Sequence, residues 1–223
     1  MDLIRLLVKT VVMTIVLLSL IGCDGTKAPG KSVDPVAVMF TDDRDGKTYH
    51  AVKIGKLVWM AENLNYKTKD SWCYNNVDTN CVKYGRLYTW DAAMAACPAG
   101  WRLSDTTDWQ DLITVVGGLY ENKKLRSKTG WGWLDEYGIN VYGIKDDGTD
   151  DVGFSALPCG HLHPDYGFDH LGICCAWWTA TEYTPGRSMY FSVIPGYDDE
   201  VVVSVNMMDF GYAVRCVRGE VRQ

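Results

Sequence analysis

Cys97-Pro98-Ala99-Gly100-Trp101-Arg102-Leu103-Ser104-Asp105-Thr106-Thr107-Asp108-Trp109 carries a cysteine, a tight turn, an aromatic anchor and a helix start in one short stretch. Ser104 or Asp105 supplies the side-chain oxygen that caps a helix. Trp109, Leu112, Ile113 and Val116 then recur at i, i+3, i+4 and i+7, and Gly117-Gly118 stops the run. An apolar stripe of that kind has to pack on a sheet. Just upstream, Thr89 caps a shorter, alanine-rich helix from Trp90 to Ala96, which Pro98 ends. Cys97 therefore sits beside a helix pair. Cys216, in a last strand from Tyr212 to Arg218, is its expected partner. A crosslink closing a loop of that length is worth roughly 4–5 kcal/mol by loop entropy.

The N-terminus bears Arg5 and Lys9, an apolar run from Val11 to Ile21, and then Leu20-Ile21-Gly22-Cys23. This reads as a leader rather than a membrane helix. Leu-Ile-Gly-Cys is similar to a bacterial lipobox, in which the cysteine becomes an acylated N-terminus, so Cys23 is the expected lipidation site and the membrane a partner through that anchor. Residues 1–22 are then the leader, 23–35 a flexible tether, 36–219 one folded domain and 220–223 a tail. Without Asp2, Arg5 and Lys9 the chain keeps 20 basic and 27 acidic residues, with no basic stripe. Nucleic acid is not an expected partner.

Eight cysteines in an exported chain point to disulfides. Cys73 and Cys81 bracket a polar loop and suit a local bridge, preferred over zinc because the loop adds no histidine. Cys159, Cys174 and Cys175 share a segment with His161, His163 and His170. That segment could hold a metal through His161, His163, His170 and Cys175. The preferred reading is a disulfide from Cys159 to Cys174 or Cys175, with Cys175 chosen as the odd cysteine, because thiolates outside the cytoplasm tend to oxidise.

Short β-rich runs flank the helices: Thr48–Ile54 and Lys56–Met60 around Gly55, then Ala176–Thr181, Ser188–Val193 and Glu200–Val205. Asp42-Asp43-Arg44-Asp45-Gly46 reads as a hairpin turn, lacking the spaced carboxylates of a calcium loop. Asp146, Asp147, Asp150 and Asp151 could bind calcium, the one cofactor considered, though a solvated turn is preferred. Between Trp131 and Asp147 the chain is glycine-rich, aromatic and acidic. Trp131, Trp133, Tyr137 and Tyr142 are the candidate ligand-binding residues, as stacking platforms for sugar rings, although satellite core packing is the preferred reading of Trp133, Tyr137 and Tyr142.

Several blocks in order, Asp45-Gly46-Lys47-Thr48-Tyr49, Trp59-Met60-Ala61-Glu62-Asn63-Leu64, Tyr84-Gly85-Arg86-Leu87-Tyr88-Thr89-Trp90, the stretch from Cys97, Gly153-Phe154-Ser155-Ala156-Leu157-Pro158, Trp177-Trp178-Thr179-Ala180-Thr181-Glu182 and Val214-Arg215-Cys216-Val217, resemble the Fibrobacter succinogenes major paralogous domain (FISUMP) family of exported, often lipid-anchored bacterial proteins. A remoter pattern, Gly100-Trp101-Arg102-Leu103-Ser104 with Asp108-Trp109 and the late Gly-Tyr-Ala-Val-Arg, is similar to formylglycine-generating enzymes and the C-type lectin-like fold. That likeness implies an α+β domain, two short helices against irregular antiparallel sheet, with long loops and stapled termini. Fold alone does not transmit activity. The lectin calcium motifs do not occur here, and the enzyme class uses a late cysteine pair where this chain has only Cys216.

Three functions compete. The leading expectation is a non-catalytic binding module in the cell envelope, on the outer membrane or cell surface, taking a polysaccharide or an envelope protein. The alternatives are an oxidoreductase resembling the formylglycine-generating class, using a reactive cysteine pair, and a structural or adhesion component joined through the odd cysteine. No triad order or phosphate loop supports a hydrolase or a nucleotide enzyme.

Overall fold

The computed structural model describes residues 37–132, 147–195 and 199–219, all within the compact unit Asp34–Gln223. The leader, Cys23, the tether and the tail lie outside the described residues. Three antiparallel strands open the fold: β1 (Ala37–Thr41), β2 (Thr48–Ile54) and β3 (Leu57–Met60). The β1–β2 turn is built on Asp42, which is buried and accepts hydrogen bonds from the backbone N, Nε and Nη2 of Arg44. These bonds, Arg44 above all, hold its carboxyl below the usual carboxylate range. A single oriented arginine does there what a calcium ion would otherwise do.

The polar loop from Trp72 to Cys81 is more ordered than its composition suggests. After β4 (Ser71–Trp72) and one 3₁₀ turn, Asp78–Tyr84 forms a helix, α1, and Cys73 is bonded to Cys81 across its first turns. The covalent link holds together a helix too short to persist on intrinsic propensity. The two expected helices thus become three. Next come β5 (Leu87–Tyr88), α2 (Trp90–Ala96), β6 (Arg102–Leu103) and α3 (Thr106–Val116). Thr89 caps α2 by accepting from Ala92 N. Asp105 rather than Ser104 caps α3, in a capping box with Asp108, and Gly117 ends it in the left-handed conformation. Ser104 instead accepts from the Trp109 indole N–H.

The second half is strand-rich: β7 (Cys159–His163), β8 (Gly167–Leu171), β9 (Cys175–Thr184), β10 (Arg187–Val193), β11 (Val201–Met207) and β12 (Cys216–Arg218). One sheet has the order β1-β2-β3-β12-β6, so the last strand is wedged between β3 and β6. The other runs β11-β10-β9-β7-β8, and a two-stranded ribbon joins β4 to β5. The architecture is α+β, with three short helices on irregular, mainly antiparallel sheet. Only Cys216–Arg218 of the expected last strand is regular; Tyr212 and Ala213 make single bridges to Tyr88 and Trp177. The chain leaves the sheet there because Arg215 turns into the interior.

α3 packs its stripe between the sheets. Trp109 stacks on Phe191 of β10 at 5.0 Å between ring centroids and meets Trp59 of β3 edge-on at 5.2 Å. Trp177 and Phe154 complete the cluster. Arg215, fully buried beside it, donates to Met60 O and Phe154 O through Nη1, to Ser155 O through Nη2 and to Asn63 Oδ1 through Nε. Asn63 Oδ1 also accepts from Trp177 Nε1, and its Nδ2 donates to Tyr84 O.

Cys97 and Cys216 are joined across 119 residues. Replacing both by serine should lower the unfolding free energy by about 4–5 kcal/mol, read from urea melts as a lower midpoint with a steeper slope, because the uncrosslinked unfolded chain exposes more surface. Arg215→Ala, which orphans buried carbonyls and the Asn63 oxygen, should cost at least about 3 kcal/mol in the same assay, and Arg215→Lys should recover only part of it because an ammonium lacks the fork.

Candidate functional site: an aromatic hairpin surface

Gly160-His161-Leu162-His163, then Pro164-Asp165-Tyr166, then Gly167-Phe168-Asp169-His170 alternate about a Pro- and Gly-containing turn, and the histidines lie on a β-hairpin, β7–β8, rather than a loop. Three contacts anchor it. Cys159 is bonded to Cys175, Leu162 exchanges both backbone hydrogen bonds with Gly211, and Phe168 packs on Tyr74. Two glycines allow the close approach. A Cβ at Gly160, where φ is +64°, would lie 2.5 Å from Asp169 O, and one at Gly211 would lie 2.7 Å from Leu162 Cβ.

The Cys159–Cys175 bond corrects the expected pairing of Cys159 with Cys174 and the choice of Cys175 as the odd residue. Cys175 is the residue that faces the β7 strand, its Cα 5.1 Å from that of Cys159. Successive residues of an extended chain point opposite ways, so Cys174 turns toward His161, with Sγ 4.0 Å from Nδ1. Cys174 is the free cysteine among the described residues, and it is buried. Burial pushes its thiol up to about 12. A reactive pair needs two reduced thiols and an intermolecular bridge needs an exposed one, and Cys174 offers neither.

His161 and His170 lie ring against ring at 5.1 Å. Burial, then the neighbouring His170, lowers the His161 pKa to about 4, so the ring is neutral at physiological pH. Cys175 is spent in a disulfide, and among the described residues no three His, Cys, Asp or Glu side chains are placed to hold a metal. The carboxylates considered for calcium serve the backbone: Asp147 accepts from Trp131 N, and Asp150 from Ser155 N and Oγ. Asp146 lies outside the described residues.

Trp131 is a core residue. It is 2% exposed, and its indole N–H donates to Ser127 Oγ and Ala156 O. Its place among sugar-stacking candidates is therefore withdrawn, because a buried ring face has no room for a ligand. Trp133, Tyr137 and Tyr142 lie outside the described residues.

What the hairpin brings together is a row of rings. Tyr190 of β10 touches Tyr212 at 4.7 Å, Tyr212 neighbours Phe210 at 6.0 Å, Phe210 meets His163 at 4.6 Å, and His163 meets Tyr166 at 4.4 Å. The inner end is fixed by Trp178, packed on Tyr212. The outer end is open, with Tyr166 85% exposed at the hairpin tip. His163 Nδ1 accepts from the backbone N–H groups of Asp165 and Tyr166, which in the neutral ring leaves the proton on Nε2. Asn206 donates to the Tyr212 hydroxyl along the same row. The Pro-Asp-Tyr-Gly turn was a readable signal for the hairpin. Nothing local to residues 206–212 announces that they complete it.

The arrangement defines a disulfide-stapled α+β domain that presents aromatic edges and oriented polar groups on a hairpin. The chain belongs to the Fibrobacter succinogenes major domain family, whose sequence profile matches residues 52–218. Neither the curated proteins nor the solved structures contain a match to it. Among the described residues, no helix is long and apolar enough to cross a membrane.

With Cys23 replaced by serine, maleimide labelling should modify no thiol in the native protein and one, at Cys174, after denaturation without reductant; non-reducing gels should show monomer. For His161, the unfolded chain takes up a proton near pH 6.5 and the folded chain only near pH 4. Its stabilising contribution is complete above pH 6.5 and is lost as pH falls toward 4. His161→Gln should flatten the decline of the urea midpoint across that interval.

Proposed function

We propose that this protein is a lipid-anchored, exported component of the bacterial cell envelope whose domain binds a polysaccharide at the hairpin tip, on Tyr166 and His163. The single observation that carries the reading is the exposed Tyr166 ring seated on His163, which itself packs on the buried Phe210, so that the tip is held by the core. Aromatic rings pack against the C–H faces of sugars, and fixed donors and acceptors take the hydroxyls.

The anchor rests on Leu20-Ile21-Gly22-Cys23 and the polar tether that follows. Three disulfides suit an oxidising compartment. A tether on an acylated cysteine would hold the domain at the outer membrane or cell surface. A C-type lectin-like layout agrees with the pairing of the last strand beside the early strand β3, and it enters here only as an analogy of form.

Pull-down on insoluble polysaccharides and glycan arrays should detect binding that Tyr166→Ala weakens roughly tenfold, with no change in thermal stability. Gly211→Ala, which pushes Leu162 and with it the hairpin away from residue 211, should weaken it as well. Retention unchanged by both substitutions would refute the hairpin as the binding surface. Metabolic palmitate labelling that persists in Cys23→Ser would refute the anchor.

A further inference from the structure

A cleft separate from the hairpin opens beside the Cys97–Cys216 staple. Its volume is about 350 Å³, within the range of small-molecule sites. Met94 and Ala95 of α2 and Ala180 of β9 supply apolar lining, and Trp101, Arg102 and Asp105 form the polar side. We propose that this cleft binds a single neutral sugar unit, its C–H face on Met94 and Ala180 and its hydroxyls between the Asp105 carboxylate and the Arg102 guanidinium.

The polar groups are oriented before any ligand arrives. Asp108, buried in the first turn of α3, grips Arg102 through both carboxylate oxygens, one of them 2.9 Å from Nη2. The same Asp108 closes the capping box with Asp105. Asp105 Oδ1 is engaged by the Asp108 N–H, whereas Oδ2 lies 3.9 Å from Arg102 Nη1, too far for a hydrogen bond. Among the described residues, Asp105 Oδ2 and Arg102 Nε–H make no hydrogen bond, which leaves one acceptor and one donor on these two residues. Trp101 is held as a wall by Phe40, at 4.4 Å between ring centroids, with the Arg218 guanidinium over its ring.

Charge narrows the class. The lining carries one cation, Arg102, and one anion, Asp105, so it favours neither an anion nor a cation. A neutral ligand with adjacent hydroxyls and an apolar face satisfies both walls, and a pyranose has that form. The site does not depend on the hairpin reading, because the two surfaces share no residue.

NMR titration of the full chain with free D-glucose, D-galactose, D-mannose and N-acetyl-D-glucosamine tests the proposal. At least one sugar should shift the Met94 methyl and Trp101 indole resonances saturably. Asp105→Asn, which keeps the capping oxygen, should weaken that sugar about tenfold. Ala95→Trp, on an exposed helix position, should abolish the shift by filling the cleft, while Tyr166→Ala should leave it unchanged. No saturable shift at Met94 from any of the four sugars, or an affinity unaltered in both Asp105→Asn and Ala95→Trp, overturns it.

Discussion

A guanidinium with no water around it organises this domain. Arg215 is fully buried, and burial lowers its pKa to about 9, which still leaves it charged at neutral pH. A charge in that position is tolerable only if its donors are met, and here they reach the end of β3, the Phe154–Ser155 turn and Asn63. Met60 and Asn63 are neighbours in sequence, and Phe154–Ser155 is far from both. The Phe154 ring also lies against the guanidinium, with 4.4 Å from Cζ to the ring centroid. Asn63 passes the constraint on: the oxygen that accepts from Arg215 also accepts from the Trp177 indole. One side chain thereby sets β3, β9 and the 154–155 turn relative to each other.

The staple closes what Arg215 aligns. Cys216 follows it directly and enters β12, paired with Leu103 on one side, while Val217 pairs with Trp59 on the other. Placing the last strand between an early strand and the one that begins the α3 segment makes the fold strongly non-local, a topology with slow loop closure that a disulfide reinforces by restricting the unfolded chain. α3 can then seat Trp109 between sheets already fixed in position.

The two surfaces with functional character differ in how much of each could be read in advance. His161, His163 and the three nearby cysteines marked the hairpin segment as a cluster of ligand-type groups, but pairing of Cys159 with Cys175 removes one ligand and burial neutralises His161. The segment's chemistry moves from metal binding to aromatic contact. Tyr212 and Phe210 take part only because Gly211 lets the backbone touch Leu162, a contact with no local signature. The cleft beside the staple is lined by residues of the stretch that defines the fold, so scaffold and surface overlap in Trp101, Arg102 and Asp105.

Local periodicity and cap chemistry were sufficient to determine α2, α3, the β2–β3 hairpin and the strand character of 188–193, because each depends on side chains within a turn or two. The blocks from Asp45 to Val217 were sufficient for the family. Tertiary structure decided which neighbour of Cys159 is its partner, that Trp131 is interior, that a polar loop holds α1, and that the exposed Tyr166 and half-buried His163 rest on the buried Phe210 and Tyr212. The reason is geometric. Adjacent residues such as Cys174 and Cys175 are equivalent in composition and opposite in direction, and direction is set by the strand against which each is paired.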